Sequence, residues 1–215
     1  PEVTISELTP RKRRFFLKHL ARFLLLFESV KAKGSFLDNK RVIVTAAPHQ
    51  SGKDEYLMIL MILALDIDVC YLSAKWTMRR IPIPFVKPKD IDNQGIPWPL
   101  GWLQEIVFRK FGAIPVDRKG NSGQYDSVVQ ELLKRDNFLL IITPEGRFDA
   151  TRFRSSFLYL AKELDASVMP VQIDYEHDSL QFLESLNLDG SEEEVIQRLR
   201  FCFDGVKGRK SRFKA

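Results

Sequence analysis

A histidine and an aspartate stand five positions apart in the segment PHQSGKD (residues 48–54). A neutral imidazole can take a proton from a hydroxyl near neutral pH, and a carboxylate on its other ring nitrogen fixes the tautomer that does so. This spacing does not place two side chains on one helix face. His49 and Asp54 can therefore meet only if His49 lies in a turn and Asp54 in the first turns of the following helix. The alternative is a solvated loop histidine beside an aspartate at a helix N-terminus.

The elements around this segment predict the required geometry. Residues 41–47 (RVIVTAA) are a β-branched apolar run typical of a buried strand, and residues 56–65 (YLMILMILAL) favour a buried helix. Active sites of open α/β sheets lie where a strand ends and a helix begins. Further strands are predicted at residues 67–73, 113–116, 138–143 and 167–175, with helices at 125–134 and 154–164. This alternation indicates an α/β fold with a largely parallel or mixed central sheet flanked by helices.

Two other segments give clear local signals. The proline-rich residues 82–99 predict an extended loop or lid. Near the end of the chain, Ser191 followed by Glu194 forms a capping-box pattern. The helix that begins there is expected to run to about Phe203, with Gly205 as its stop.

The N-terminal part of the chain is basic and amphipathic. Residues 11–27 (RKRRFFLKHLARFLLLF) predict a helix with apolar positions on one face and basic positions on another. Its apolar stretch is too short to span a bilayer, so it is expected either to lie on a membrane or to dock on the protein's own core. No small-residue cleavage site follows, and export is not expected. We therefore divide the chain into residues 1–40, a helix with a linker, and residues 41–215, the α/β domain.

The charge distribution of the chain indicates which class of partner it binds. The chain of 215 residues is of the size of one domain, and its formal net charge is +5, with Lys and Arg concentrated at both ends. An anionic partner is implied, either lipid or nucleic acid. Nucleic acid is disfavoured because the aromatic residues lie in core-like runs. Cys70 and Cys202 lie in apolar stretches without metal-binding spacing, which indicates buried thiols in a reducing compartment.

The sequence lacks the motifs of P-loop nucleotide hydrolases, serine hydrolases and histidine-rich metalloenzymes. Gly52-Lys53 follows a strand, but the first glycine of a P-loop and the Ser or Thr after its lysine are missing. No Gly-x-Ser-x-Gly nucleophile elbow is present. Three histidines in all give little support to a histidine-rich metal site, and no metal is expected.

Three further motifs follow the His-x4-Asp segment along the chain: GAIPVDR (residues 112–118), TPEGR (residues 143–147) and VMPV (residues 168–171). Together, these four blocks resemble the glycerophospholipid acyltransferase family. Trp98-Pro-Leu-Gly-Trp102 is similar to the approach to the second block in small bacterial members. The third block reads Glu-Gly-Arg-Phe where the family usually has Glu-Gly-Thr-Arg, so Arg147 stands one place early.

The resemblance implies an O-acyltransferase of the 1-acylglycerol-3-phosphate type. His49 would be the general base and Asp54 its orienter, and the acceptor would be bound by four residues: Arg118, Glu145, Gly146 and Arg147. The donor would be an acyl thioester, acyl-CoA or acyl-ACP, and no cofactor is expected. The acceptor would be a lysophospholipid or a related alcohol at an anionic membrane surface, with the enzyme peripheral on the cytoplasmic face. The alternative is a non-catalytic lipid-binding protein that keeps the fold.

Overall fold

The structure is a computed structural model. It describes residues 2–5, 15–28, 30–36, 41–50, 52–64, 69–75, 77–81, 95–116, 123–145 and 153–208. The chain forms two compact units, the first comprising Pro1–Val69 with Asp136–Ala215 and the second Cys70–Arg135.

In chain order, the elements are β1 (Glu2–Ile5), α1 (Phe15–Leu25), β2 (Lys31–Phe36), β3 (Arg41–Ala47), α2 (Gly52–Ala64), β4 (Val69–Ala74), β5 (Arg80–Ile81), β6 (Ile96–Pro97), α3 (Gly101–Lys110), β7 (Ala113–Val116), α4 (Gly123–Leu133), β8 (Phe138–Ile142), α5 (Ser156–Leu164), β9 (Ser167–Asp174), β10 (Ser179–Phe182) and α6 (Glu192–Phe201).

The sheet of the first unit places its strands in the order β1-β2-β10-β9-β3-β8. The pairing of β10 with β9 is antiparallel, whereas β1–β2, β2–β10, β3–β8 and β3–β9 are parallel. Thr45 of β3 lies opposite both Ile142 of β8 and Pro170 of β9. The carboxyl ends of these three strands therefore meet at one edge. The α/β fold with a mixed, mostly parallel sheet is confirmed.

Strand β3 and helix α2 form the core beside that edge. Every residue of β3 after Arg41 is buried, as expected for a central strand covered on both faces. Helix α2 is apolar almost all round, and Leu57, Met58 and Ile62 are fully buried. Such burial contributes roughly 1.5–3 kcal/mol for each large side chain. Because β3 and α2 are both held in the core, the two ends of the turn between them are fixed in position.

The second unit contains a parallel strand pair and two helices. Tyr71 of β4 lies opposite Ala113 of β7, and the short strands β5 and β6 pair antiparallel. Gln104 of α3 donates from Nε2 to the carbonyl of Thr77 at 2.7 Å and so ties the helix to the segment before β5. Glu105 of α3 forms hydrogen bonds with Arg79 and Arg109, and these lower the pKa of its carboxyl.

Most differences from the predicted elements lie at their ends. Helix α2 begins at Gly52, four residues before the predicted start, which places Asp54 in its first turn. Residues 31–36, predicted as linker, form β2, while residues 82–94 of the expected proline-rich loop lie outside the described residues. The capping box of Ser191 and Glu194 is confirmed, and Gly205 has a left-handed backbone at the end of the turn after α6. Cys70 is buried and Cys202 half-buried, and both are free thiols.

Helix α1 packs against α2 but presents apolar side chains to solvent. Arg22 donates from Nε to the carbonyl of Ala64 at 3.2 Å, and Ala21 is buried. The large apolar residues that α1 and the turn after it leave exposed are Phe16, Phe23, Leu26 and Phe27. The predicted helix began at residue 11, and residues 11–14 lie outside the described part. Among the described residues, no helix has the length and apolarity that crossing a bilayer requires.

Candidate active site

The turn after β3 holds the predicted His49 and Asp54 beside each other. His49 Nδ1 lies 3.5 Å from Asp54 Oδ2, which is within ion-pair distance and longer than an ordinary N–H···O hydrogen bond. Both side chains are buried, with exposed fractions of 4% for His49 and 1% for Asp54. Exclusion of water strengthens the electrostatic interaction between such groups. The spacing of five positions is thus bridged by a turn followed by the first turn of a helix.

Two backbone hydrogen bonds fix this turn. The amide of His49 donates to Glu145 Oε2 at 2.7 Å, and the amide of Gln50 donates to Asp54 Oδ2 at 2.7 Å. Glu145 follows β8 and reaches His49 because β8 and β3 are parallel neighbours. One oxygen of Glu145 is therefore engaged in holding the backbone of the histidine.

The second oxygen of Asp54 has a partner from a third strand. Tyr175, which directly follows β9, donates its hydroxyl to Asp54 Oδ1 at 2.6 Å, and its side chain is buried. The amide of Tyr175 in turn donates to the carbonyl of Lys207 at 3.0 Å. Asp54 thus receives a donor on each oxygen, an arrangement that stabilises the carboxylate.

Burial changes the acidity of Glu145. Desolvation raises the pKa of this carboxyl from 4.5 to about 7, although the hydrogen bond from the His49 amide and the charge of His49 act in the opposite direction. The negative charge of Asp54 adds a smaller upward contribution. Near neutral pH, Glu145 is therefore close to half protonated.

This shift predicts a pH dependence of stability. Between pH 4.5 and about 7, the folded protein holds a proton on Glu145 that the unfolded chain releases, so the free energy of unfolding should fall as pH rises through this window. The slope from one group is at most about 1.4 kcal/mol per pH unit. Glu145→Gln should remove that part of the slope, as measured by urea unfolding at a series of pH values. Equal slopes in the two proteins would show that Glu145 has its ordinary acidity.

Of the four residues predicted to bind the acceptor, the structure describes Glu145. Glu145 lies 2.7 Å from the His49 amide and is buried, whereas Arg118, Gly146 and Arg147 lie outside the described residues. Tyr175 was not among the site residues predicted from the sequence. A signal for it existed, because the predicted strand at residues 167–175 ends in this tyrosine, at the same sheet edge as His49.

A second histidine–aspartate pair lies at the surface. His177 Nδ1 is 2.6 Å from Asp174 Oδ2, and this hydrogen bond raises the pKa of His177. The side chain of His177 is 71% exposed. Glu176 completes a group whose possible ligand atoms lie within 4.8 Å of one another, the set among the described residues that could hold a metal ion. Its exposure to water distinguishes this pair from His49 and Asp54.

Comparison with known proteins adds an independent finding. The family model described as "Acyltransferase" matches residues 99–174. The matched segment contains the second, third and fourth blocks of the predicted pattern, including Glu145, while His49 and Asp54 precede it. A search of curated proteins finds no match. The family-model match thus covers an acyltransferase domain within residues 99–174, and it is consistent with a glycerophospholipid acyltransferase family member.

Proposed function

We propose that this protein transfers an acyl chain from an acyl thioester, either acyl-CoA or acyl-ACP, to a hydroxyl of a lysophospholipid or glycerol-phosphate-like acceptor. The observation that carries the proposal is the buried pair of His49 and Asp54 at the carboxyl ends of β3, β8 and β9. The acyltransferase domain supplies the reaction class. A protein that only bound lipid would have no chemical need for a buried imidazole beside a carboxylate.

In the proposed reaction, His49 acts as the general base. Asp54 lies on the Nδ1 side of the ring, so Nε2 is the nitrogen that faces the acceptor. Nε2 takes the proton of the acceptor hydroxyl while its oxygen attacks the thioester carbonyl. The C–O bond forms, the C–S bond breaks, and the imidazolium returns the proton to the departing thiolate. Asp54 holds the tautomer and stabilises the imidazolium that forms between these steps.

We propose Arg118, Glu145, Gly146 and Arg147 as the acceptor-binding group. A guanidinium matches a phosphate with two parallel hydrogen bonds, which suits Arg118 and Arg147 to a glycerol phosphate. Because Glu145 engages the His49 amide at 2.7 Å, it would link the acceptor group to the turn that carries the base.

If Arg118 binds the acceptor phosphate, replacing it should weaken acceptor binding and leave thioester binding unchanged. Arg118→Gln removes the charge at similar size and should raise the KM for a phosphate-bearing acceptor about ten-fold or more, because a charge-assisted bidentate pair is lost. The KM for the acyl thioester should change little. Steady-state kinetics with each substrate varied in turn separates the two effects, and Arg109→Gln is a matched control on α3. A rise in KM for the thioester alone would assign Arg118 to the donor.

We also propose that the enzyme works as a peripheral protein at an anionic membrane, on its cytoplasmic face. Lys53, next to Asp54, forms a 2.7 Å ion pair with Glu28, which follows the exposed Phe27. The exposed apolar end of α1 is therefore near the start of α2 and the candidate site. A lipid product costs about 0.8 kcal/mol per methylene to move into water, so an exit against the bilayer favours turnover.

The function is tested by direct product analysis. Purified protein is incubated with an unlabelled acyl thioester and a panel of acceptors that contains lysophospholipids and glycerol phosphate. Mass spectrometry then identifies any new diacyl or monoacyl lipid. A product whose mass equals acceptor plus acyl chain, absent with His49→Ala, supports the enzyme. Binding of lipids without any acylated product would favour the non-catalytic alternative.

A further inference from the structure

We propose that Tyr175 is a positioning residue of the candidate active site, acting on His49 through Asp54 and anchored by the C-terminal segment at residues 206–208. The inference rests on the proposed role of the His49 and Asp54 pair. Tyr175 lies outside the His-x4-Asp segment and directly follows the carboxyl end of β9.

The hydrogen-bond arrangement around Asp54 carries the argument. Tyr175 donates to Oδ1 at 2.6 Å, while Oδ2 accepts the amide of Gln50 at 2.7 Å and lies 3.5 Å from His49 Nδ1. With Asp54 only 1% exposed, water is poorly placed to substitute for a lost donor. Each oxygen thus accepts a hydrogen bond from a different donor, and we infer that the Tyr175 hydroxyl restricts the rotation of the carboxylate about its Cβ–Cγ bond.

The position of Tyr175 is itself fixed from two directions. Strand β9 pairs with β3 up to Gln172 opposite Ala47, which brings the end of β9 to the turn that carries His49. The amide of Tyr175 then donates to the carbonyl of Lys207 at 3.0 Å.

The C-terminal segment also lies against the catalytic turn. Gly208 is buried, and a Cβ there would stand only 2.5 Å from Cδ of Gln50. Since the Gln50 amide donates to Asp54, the segment at residues 206–208 adjoins both residues that hold this carboxylate. These contacts all lie within the first unit.

Tyr175→Phe removes one hydroxyl and keeps the ring. The Asp54 carboxylate then carries more negative charge toward His49, and its rotation is less restricted. The imidazolium is favoured, so the His49 titration midpoint should move to higher pH, by about half a unit. With acyl transfer, kcat should fall about ten-fold, the usual effect of losing a hydrogen bond to a charged group, while both KM values stay within about two-fold.

The experiment follows the imidazole signals of the 215-residue chain by NMR as pH is varied. The chain has three histidines, and His49→Ala identifies the signal of His49. Tyr159→Phe is the matched control, because this exposed tyrosine also donates to a carboxylate, Glu192 Oε2 at 2.9 Å, outside the candidate site. Thermal unfolding confirms that each variant is folded at the temperature of measurement.

The expected result is a shift of the His49 signal in Tyr175→Phe and none in Tyr159→Phe. An unchanged His49 titration in folded Tyr175→Phe would overturn the inference, whatever the kinetics. Since the titration needs no substrate, it separates this inference from the proposed function. A shifted titration in a protein without acyl transfer activity would support Tyr175 as a positioning residue and contradict the function.

Discussion

Replacing His49 by alanine should lower the rate of acyl transfer about 1,000-fold or more, with the fold retained. The general base would be lost, and positioned proton transfer typically contributes 10² to 10⁴ in rate. The ring is buried at a turn whose amides donate to Glu145 and Asp54, so bulk water has little access to take over its role. The measurement is the initial rate of lipid product formation by mass spectrometry at saturating thioester.

His177→Ala is the matched control for this change. His177 is closer to its aspartate than His49 is, at 2.6 Å from Asp174 compared with 3.5 Å from Asp54, but its side chain is exposed. If burial at the sheet edge and not mere distance defines the catalytic pair, His177→Ala should keep the wild-type rate. A large loss in His177→Ala with little change in His49→Ala would move the site to the surface pair.

The predicted strands with strong apolar runs are the ones that the structure reproduces best. Strands β3 and β7 have the predicted bounds, and the ends of β8 and β9 each differ by one residue. In contrast, β2 (KAKGSF) is polar and contains a glycine, so its local pattern is that of a linker. It is a strand because β1 and β10 pair with it on either side. Gly34 permits this pairing, since a Cβ there would collide with the carbonyl of Phe182.

The same distinction applies within the candidate site. His49 and Asp54 belong to one segment, so their meeting follows from local rules for a turn and a helix start. Tyr175 is 121 positions from Asp54, and Glu145 is 96 positions from His49. Whether these residues meet depends on the order and register of β3, β8 and β9 in the sheet. Composition and periodicity predict that such strands exist but do not specify which residues become neighbours.

The exposed apolar side chains of α1 predict that this helix binds a membrane surface. The sequence allowed α1 either to dock its apolar face on the protein or to turn it outward. Phe16, Phe23 and Phe27 are 74%, 55% and 74% exposed, while Ala21 is the buried residue on the opposite, α2-facing side. Phe23 and Phe27 contact each other edge to face at 5.3 Å. An apolar group of this kind, on a helix that also carries Lys18 and Arg22, fits the interface of an anionic bilayer.

Substituting these three phenylalanines together (Phe16→Ser, Phe23→Ser, Phe27→Ser) should lower binding to anionic liposomes at least ten-fold. Even about 0.5 kcal/mol from each ring entering the interface is enough for such a factor. Point changes are preferable to deleting α1, because Arg22 and Ala21 pack on α2 and a deletion would uncover its core. Sedimentation with liposomes measures the binding, and turnover of a water-soluble acceptor should stay near the wild-type rate. The paired change Leu133→Ser and Tyr159→Ser, at exposed apolar residues that do not belong to α1, is the control and should leave sedimentation unchanged. If the triple variant sediments as completely as the wild type, the apolar surface of α1 does not carry liposome binding.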